Sequence, residues 1–141
     1  MNPDTIMQTP AEHSSGFQAM PRLGAGLTGL VVLFLAFDAI TKVIRVAPVV
    51  EACQKAGIAS DLVAGIGLLL LACTAIYVIP RTALLGAILL TGYLGGAVTV
   101  HVMARAGVFP IVFAIGFGVL VWTGLVLREP RLVRLVLLRR Y

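Results

Sequence analysis

The sequence predicts an all-α integral membrane protein, a four-helix bundle that runs up and down through the bilayer. Three observations carry that prediction. Of the 141 residues, 60% are hydrophobic and only 12% charged, about half the charge of a soluble domain. Four apolar runs of helical length follow one another after a polar start. The ionisable residues inside those runs collect toward one end of the bundle that the runs would form. A mean hydropathy of +1.03 excludes a disordered chain, and a soluble fold this apolar would have no surface left to face water.

Residues 1–21 are polar, with Asp4, Glu12, His13 and several Ser, Gln and Pro. They lack a basic leading region, and no small-residue cleavage pattern follows the first apolar run, so a disordered cytoplasmic tail is expected in place of a signal peptide. Crossing a hydrocarbon core of roughly 30 Å takes about 20 helical residues. The spans read as residues 23–44, 62–79, 82–103 and 108–127, inside a transmembrane domain of residues 22–128. Pro80 and Pro130 are placed to end helices, because proline disfavours helix at the residue before it. Pro80-Arg81 is barely a turn and residues 104–107 are little more, so the later spans must be antiparallel neighbours. Strand-length alternation, which a β-barrel requires, is missing from these runs.

The first connection has structure of its own. Pro48 suits a first helical position and Gly57 a C-terminal cap. Val49, Val50, Cys53 and Ala56 fall on one face, while Glu51, Gln54 and Lys55 fall on the other. A short helix lying along the membrane surface is expected here. Glu51 and Lys55 stand four apart in the favourable order for an ion pair.

Glycine recurs within the spans. Gly92 and Gly96 form a GxxxG pair, expected to serve helix packing within the bundle ahead of a dimer face, since helices in lipid associate by close approach of small residues. Lysine and arginine set the orientation. Arg22, Arg81, Arg128, Arg131, Arg134, Arg139 and Arg140 lie on one side and Lys42, Arg45, Lys55 and Arg105 on the other, which favours cytoplasmic termini. Residues 129–141 are too short and too basic to span. There, Arg131, Arg134, Arg139 and Arg140 are expected to meet anionic lipid headgroups. Nothing in this pattern suits nucleic acid.

With the N-terminus inside, Asp38 lies about 22 Å and His101 roughly 28 Å along their helices. Lys42 is one turn beyond Asp38, and the Glu51 helix lies over the same side. Asp38, Lys42, Glu51 and His101 therefore form a candidate polar cluster at the outer mouth. Local charge compensation and snorkelling explain Asp38 and Lys42 without any function. A proton-handling or quinone-headgroup role for His101 with Asp38 fits the chemistry of imidazole. No metal site is expected: the spans hold one histidine and no close carboxylate pair. No nucleophile–base motif, phosphate loop or haem-ligating histidine pair appears, and no catalytic residue is assigned. Cys53 and Cys73 form no Cys-x-x-Cys pair and read as small buried hydrophobes.

The run Val32-Leu33-Phe34-Leu35-Ala36-Phe37-Asp38-Ala39-Ile40-Thr41-Lys42 resembles the first-span motif of the DoxX-like family of small bacterial membrane proteins. The likeness continues through Pro48-Val49-Val50-Glu51, the stretch from Ile79-Pro80-Arg81 to Gly95-Gly96-Ala97-Val98, and His101. It covers most of residues 22–131. The resemblance implies a four-helix membrane bundle and carries over the positions Asp38, Lys42, Glu51 and His101 without assigning their roles. Broader relatives include a subunit linked to thiosulfate oxidation with quinone as acceptor, and others tied to redox homeostasis or membrane-protein assembly. Three functions follow as expectations. They are an accessory or quinone-associated component of a membrane redox process, a non-enzymatic assembly or interaction factor that holds a membrane-protein partner or a second copy, and a small-solute or proton carrier. Whether the chain is an enzyme stays open.

Overall fold

The computed structural model describes residues 14–129, with side chains from Arg22 onward. Five helices follow in order: α1 (Ser14–Val43), α2 (Ala47–Lys55), α3 (Val63–Val78), α4 (Ala83–Met103) and α5 (Val108–Arg128). Among the described residues there is no strand. Helix α1 begins at Ser14, so residues 14–21 are helical within the segment expected to be an unstructured tail. Continuing the helix satisfies backbone groups that the approach to a membrane would otherwise leave without partners. Arg131, Arg134, Arg139 and Arg140 lie outside the described residues, as do residues 1–13.

By length and composition, three helical segments suffice to cross a membrane: Arg22–Val43, Ala83–Met103 and Val108–Arg128. Helix α3 is equally apolar but has 16 residues, a rise of about 24 Å. It ends where Ile79 turns extended ahead of Pro80, as the residue before proline must. The Thr82 hydroxyl donates to the Ile76 carbonyl at 2.9 Å and closes that turn.

Four helices pack in a ring, α1 against α3, α3 against α4, α4 against α5, and α5 back against α1. Contacts at both ends make each neighbouring pair antiparallel. Near the end where α1 stops, a Cβ on Gly67 would fall 2.7 Å from the Ala39 carbonyl and 2.6 Å from the Lys42 Cβ. At the opposite end, a Cβ on Gly24 would meet the Arg128 nitrogen at 2.7 Å. The ring closes over Val31, Leu35, Leu70, Tyr77, Leu90 and Val121. Outside it, Leu33, Phe37, Leu68, Ile88 and Ile115 are exposed. Helices that are apolar all round suit a lipid surround. Phe34 on α1 stacks with Phe113 and Phe117 of α5, at centroid separations of 5.5 and 4.5 Å.

Three helices end in the same cap, all toward one mouth of the bundle. After α1, the Arg45 N–H donates to the Lys42 carbonyl and the Val46 N–H to the Thr41 carbonyl at 3.0 Å. After α2, Gly57 and Ile58 repeat the pattern on Gln54 and Cys53; after α4, Arg105 and Ala106 repeat it on Val102 and His101. This arrangement needs a left-handed residue at its centre. Gly57 (φ 84°) supplies one freely, whereas Arg45 (φ 57°) and Arg105 (φ 51°) adopt it with a side chain attached.

Candidate functional site

Asp38 and Lys42 lie one turn apart close to the end of α1, and their side chains form a direct ion pair. Helical spacing alone brings them together, since residues four apart face each other. The bundle then encloses the cation more than the anion. The Lys42 side chain is 15% exposed and that of Asp38 36%. Gly67 makes this possible: without a side chain there, α3 closes onto Ala39, Lys42 and Val43. The Thr41 hydroxyl bonds back to the Asp38 carbonyl at 2.9 Å.

Helix α2 lies over this end. Val49, Val50, Cys53 and Ala56 are half-buried, while Glu51, Gln54 and Lys55 are exposed, the division its sequence predicts. The inner face therefore presents Cys53 to the ion pair. Burial pushes the Cys53 thiol up from its ordinary pKa; Lys42 pulls against that shift and Asp38 adds to it. The Arg45 guanidinium reaches across to the Ser60 carbonyl at 3.0 Å and ties together the two connections that flank α2.

Tyr93 completes the group from α4. Its hydroxyl lies within electrostatic reach of Asp38, Cys53 and Cys73. Three helices thus contribute to one polar neighbourhood, with Asp38 and Lys42 from α1, Cys53 from α2 and Tyr93 from α4. A carboxylate, an ammonium, a phenol and a thiol can hold protons and donate hydrogen bonds to a carbonyl oxygen. Among the described residues no three His, Cys, Asp or Glu side chains gather as metal ligands would.

The remaining candidates are placed differently. Glu51 stands exposed on the outer face of α2, turned away from the face that carries Cys53. Among the described residues the one ion pair is Asp38–Lys42, so Glu51 does not engage Lys55. His101 sits on the last turn of α4, half-buried, with Nδ1 enclosed and without a hydrogen-bond partner among the described residues. Gly92 and Gly96 are exposed, with nothing within 4 Å of an added Cβ. They make no close contact inside the bundle. Sequence reasoning missed Cys53 and Tyr93 as neighbours of the pair. The signal for Cys53 was its position on the apolar face of α2; Tyr93 carried none.

A separate groove of about 440 Å³ runs between α4 and α5, lined by Thr91, Leu94, Gly95, Ala114, Gly118 and Trp122 among others. The Trp122 indole donates to the Thr91 hydroxyl at 2.9 Å, which donates in turn to the Ala87 carbonyl at 2.7 Å.

The profile of the DoxX-like family matches residues 26–124, a stretch that begins on α1 and ends on α5 and contains the whole polar neighbourhood. Neither a curated protein nor a solved structure matches the chain. The match covers well over half the sequence, and the chain belongs to the DoxX-like family of membrane proteins.

Proposed function

We propose that this protein is a quinone-associated accessory component of a membrane redox process, and that Asp38, Lys42 and Tyr93 receive the head of the quinone. The observation that carries the reading is the half-buried Asp38–Lys42 pair. An ion pair partly drawn out of water gives little net stability, because desolvation offsets attraction. Ionisable groups at membrane depth are expensive and mark functional positions. An ammonium and a phenol are donors for the carbonyl oxygens of a quinone, and the carboxylate is a base for the proton that a quinol releases when it is oxidised.

In this reading all four ring helices cross the membrane. Helix α3 spans with the help of its flanking turns and a locally thinner bilayer. The proposed setting is a bacterial cytoplasmic membrane, in which the arginine distribution supports both termini inside, and Arg131, Arg134, Arg139 and Arg140 would then meet anionic headgroups.

Organic extraction of the purified protein tests the proposal. Wild-type protein should retain quinone, and Asp38→Asn and Lys42→Gln should lose it while remaining folded. Retention by both variants, or none by the wild type after gentle purification, refutes the assignment.

A second reading, an assembly or interaction factor, is favoured by Gly92, Gly95 and Gly96, which lie on exposed α4 with open space beyond. Helix docking there would follow the small-residue packing of membrane helices. Loss of a co-purifying partner or of a second copy in Gly96→Leu, with quinone content unchanged, would favour that reading.

A further inference from the structure

The end of the bundle opposite the ion pair holds a second polar group. Arg128, on the last turn of α5, folds inward, with its guanidinium carbon 5.9 Å from the centroid of the Tyr77 ring. Its Nε and Nη2 are buried and have no acceptor among the described residues. These two nitrogens form one edge of the guanidinium, the edge that grips two oxygens of a phosphate or carboxylate side by side. The Tyr77 hydroxyl donates to the Val121 carbonyl at 2.8 Å and does not accept from either nitrogen. On α1, Thr28 is 5% exposed and its hydroxyl also lacks a partner of good geometry. It packs beside the same tyrosine, where a Cβ on Gly124 would lie 2.8 Å from the Thr28 oxygen and 3.3 Å from the Tyr77 oxygen.

Charge at this end points the same way. Arg22, Arg81 and Arg128 lie here with Glu129, and none of them forms an ion pair among the described residues. A half-buried cation with two enclosed donors left unmatched carries a desolvation penalty that an anion would remove. The cation–π contact with Tyr77 fixes where the guanidinium sits but uses its face, leaving the edge for a ligand.

We propose that Arg128 anchors an oxyanion site at this end of the bundle, which takes the phosphate group of an anionic ligand. Two sources share that chemistry, a phospholipid headgroup and free phosphate. The site is independent of the Asp38–Lys42 neighbourhood, which lies at the other mouth.

Native mass spectrometry of the full chain in neutral detergent tests the proposal, with phosphatidylglycerol, diacylglycerol and inorganic phosphate as probes. Wild-type protein should bind phosphatidylglycerol more tightly than diacylglycerol, which shares the acyl chains but lacks the phosphate. Arg128→Lys keeps the charge and loses the fork, and should weaken that binding about tenfold. Arg105→Gln, exposed at the opposite mouth, should leave it unchanged. Displacement of the lipid by inorganic phosphate assigns the site to free phosphate, and persistence assigns it to the lipid; both support an oxyanion site. Equal binding of the two lipids, or wild-type affinity in Arg128→Lys, overturns it.

Discussion

The Tyr77 hydroxyl donates to the Val121 carbonyl at 2.8 Å and so joins α3 to α5, two helices that stand diagonally across the ring. Each helix otherwise packs on its two neighbours, so this bond braces the bundle through its centre. Tyr77→Phe keeps the ring and removes the brace. It should lower stability by about 1 kcal/mol, read as a lower Tm in detergent. An unchanged Tm would show that the bond contributes nothing net.

Close approach between α3 and α4 rests on Gly86. A Cβ at that position would run into the backbone of Tyr77 itself, which has no flexible end to yield. Gly86→Ala should cost about 2–3 kcal/mol as an overpacked contact and reduce the yield of folded protein. Gly92→Ala, with nothing within 4 Å of the new methyl, should fold normally. Equal yields for the two would contradict the packing described for this pair of helices.

Arg105 holds a left-handed conformation at φ 51°. Replacing it with glycine removes the steric penalty, so Arg105→Gly should stabilise the protein by up to about 1 kcal/mol. Arg45→Gly relieves the same strain at φ 57° but deletes the bond to Ser60. It should gain less and should loosen α2. Thermal melts of the two variants side by side give the comparison.

Cys53 reports on the cover that α2 forms. Its raised thiol pKa leaves less thiolate at a given pH, so alkylation should reach half its limiting rate above the ordinary thiol range. In a Cys73→Ser background, where Cys53 is the single thiol, Asp38→Asn should lower that midpoint and Lys42→Met should raise it. Arg45→Ala should bring the midpoint back toward that of a free thiol and speed the reaction. A midpoint indifferent to all three changes would place Cys53 away from the pair.

The ion pair itself makes a separable prediction. Lys42→Met or Asp38→Leu alone strands one charge and should cost about 1–2 kcal/mol, less than a fully dry pair because Asp38 keeps some contact with solvent. Asp38→Leu combined with Lys42→Leu should recover most of that loss and still fail to hold quinone. A double variant that retains quinone would remove the pair from the site.

Much of this was legible in the sequence because periodicity and turn chemistry are local. Pro48 and Gly57 announce α2, Pro80 ends α3, and the four-residue spacing of Asp38 and Lys42 forces them together whatever the tertiary fold. What stayed hidden depends on contacts between distant segments. Tyr93 reads as one more aromatic in an apolar run until α4 is set across from α1. Arg128 reads as a boundary charge until α5 is seen to deliver it onto Tyr77. Arg45 and Arg105 conceal their caps because the residue usual at such positions is glycine. Glu51 shares a segment with Cys53 yet faces the other way, since a helix separates neighbours two apart by more than half a turn.

Helix α3 is the shortest rod of the ring, and at Gly67 it is clasped to α1 beside Lys42 with no side chain between them. If all four rods cross the lipid sheet, thickening the sheet leaves the shortest one too short first, so that the bilayer must thin around it or the rod must shift. Through that clasp the ammonium is carried along, so the depth of the charged pair becomes tied to membrane thickness.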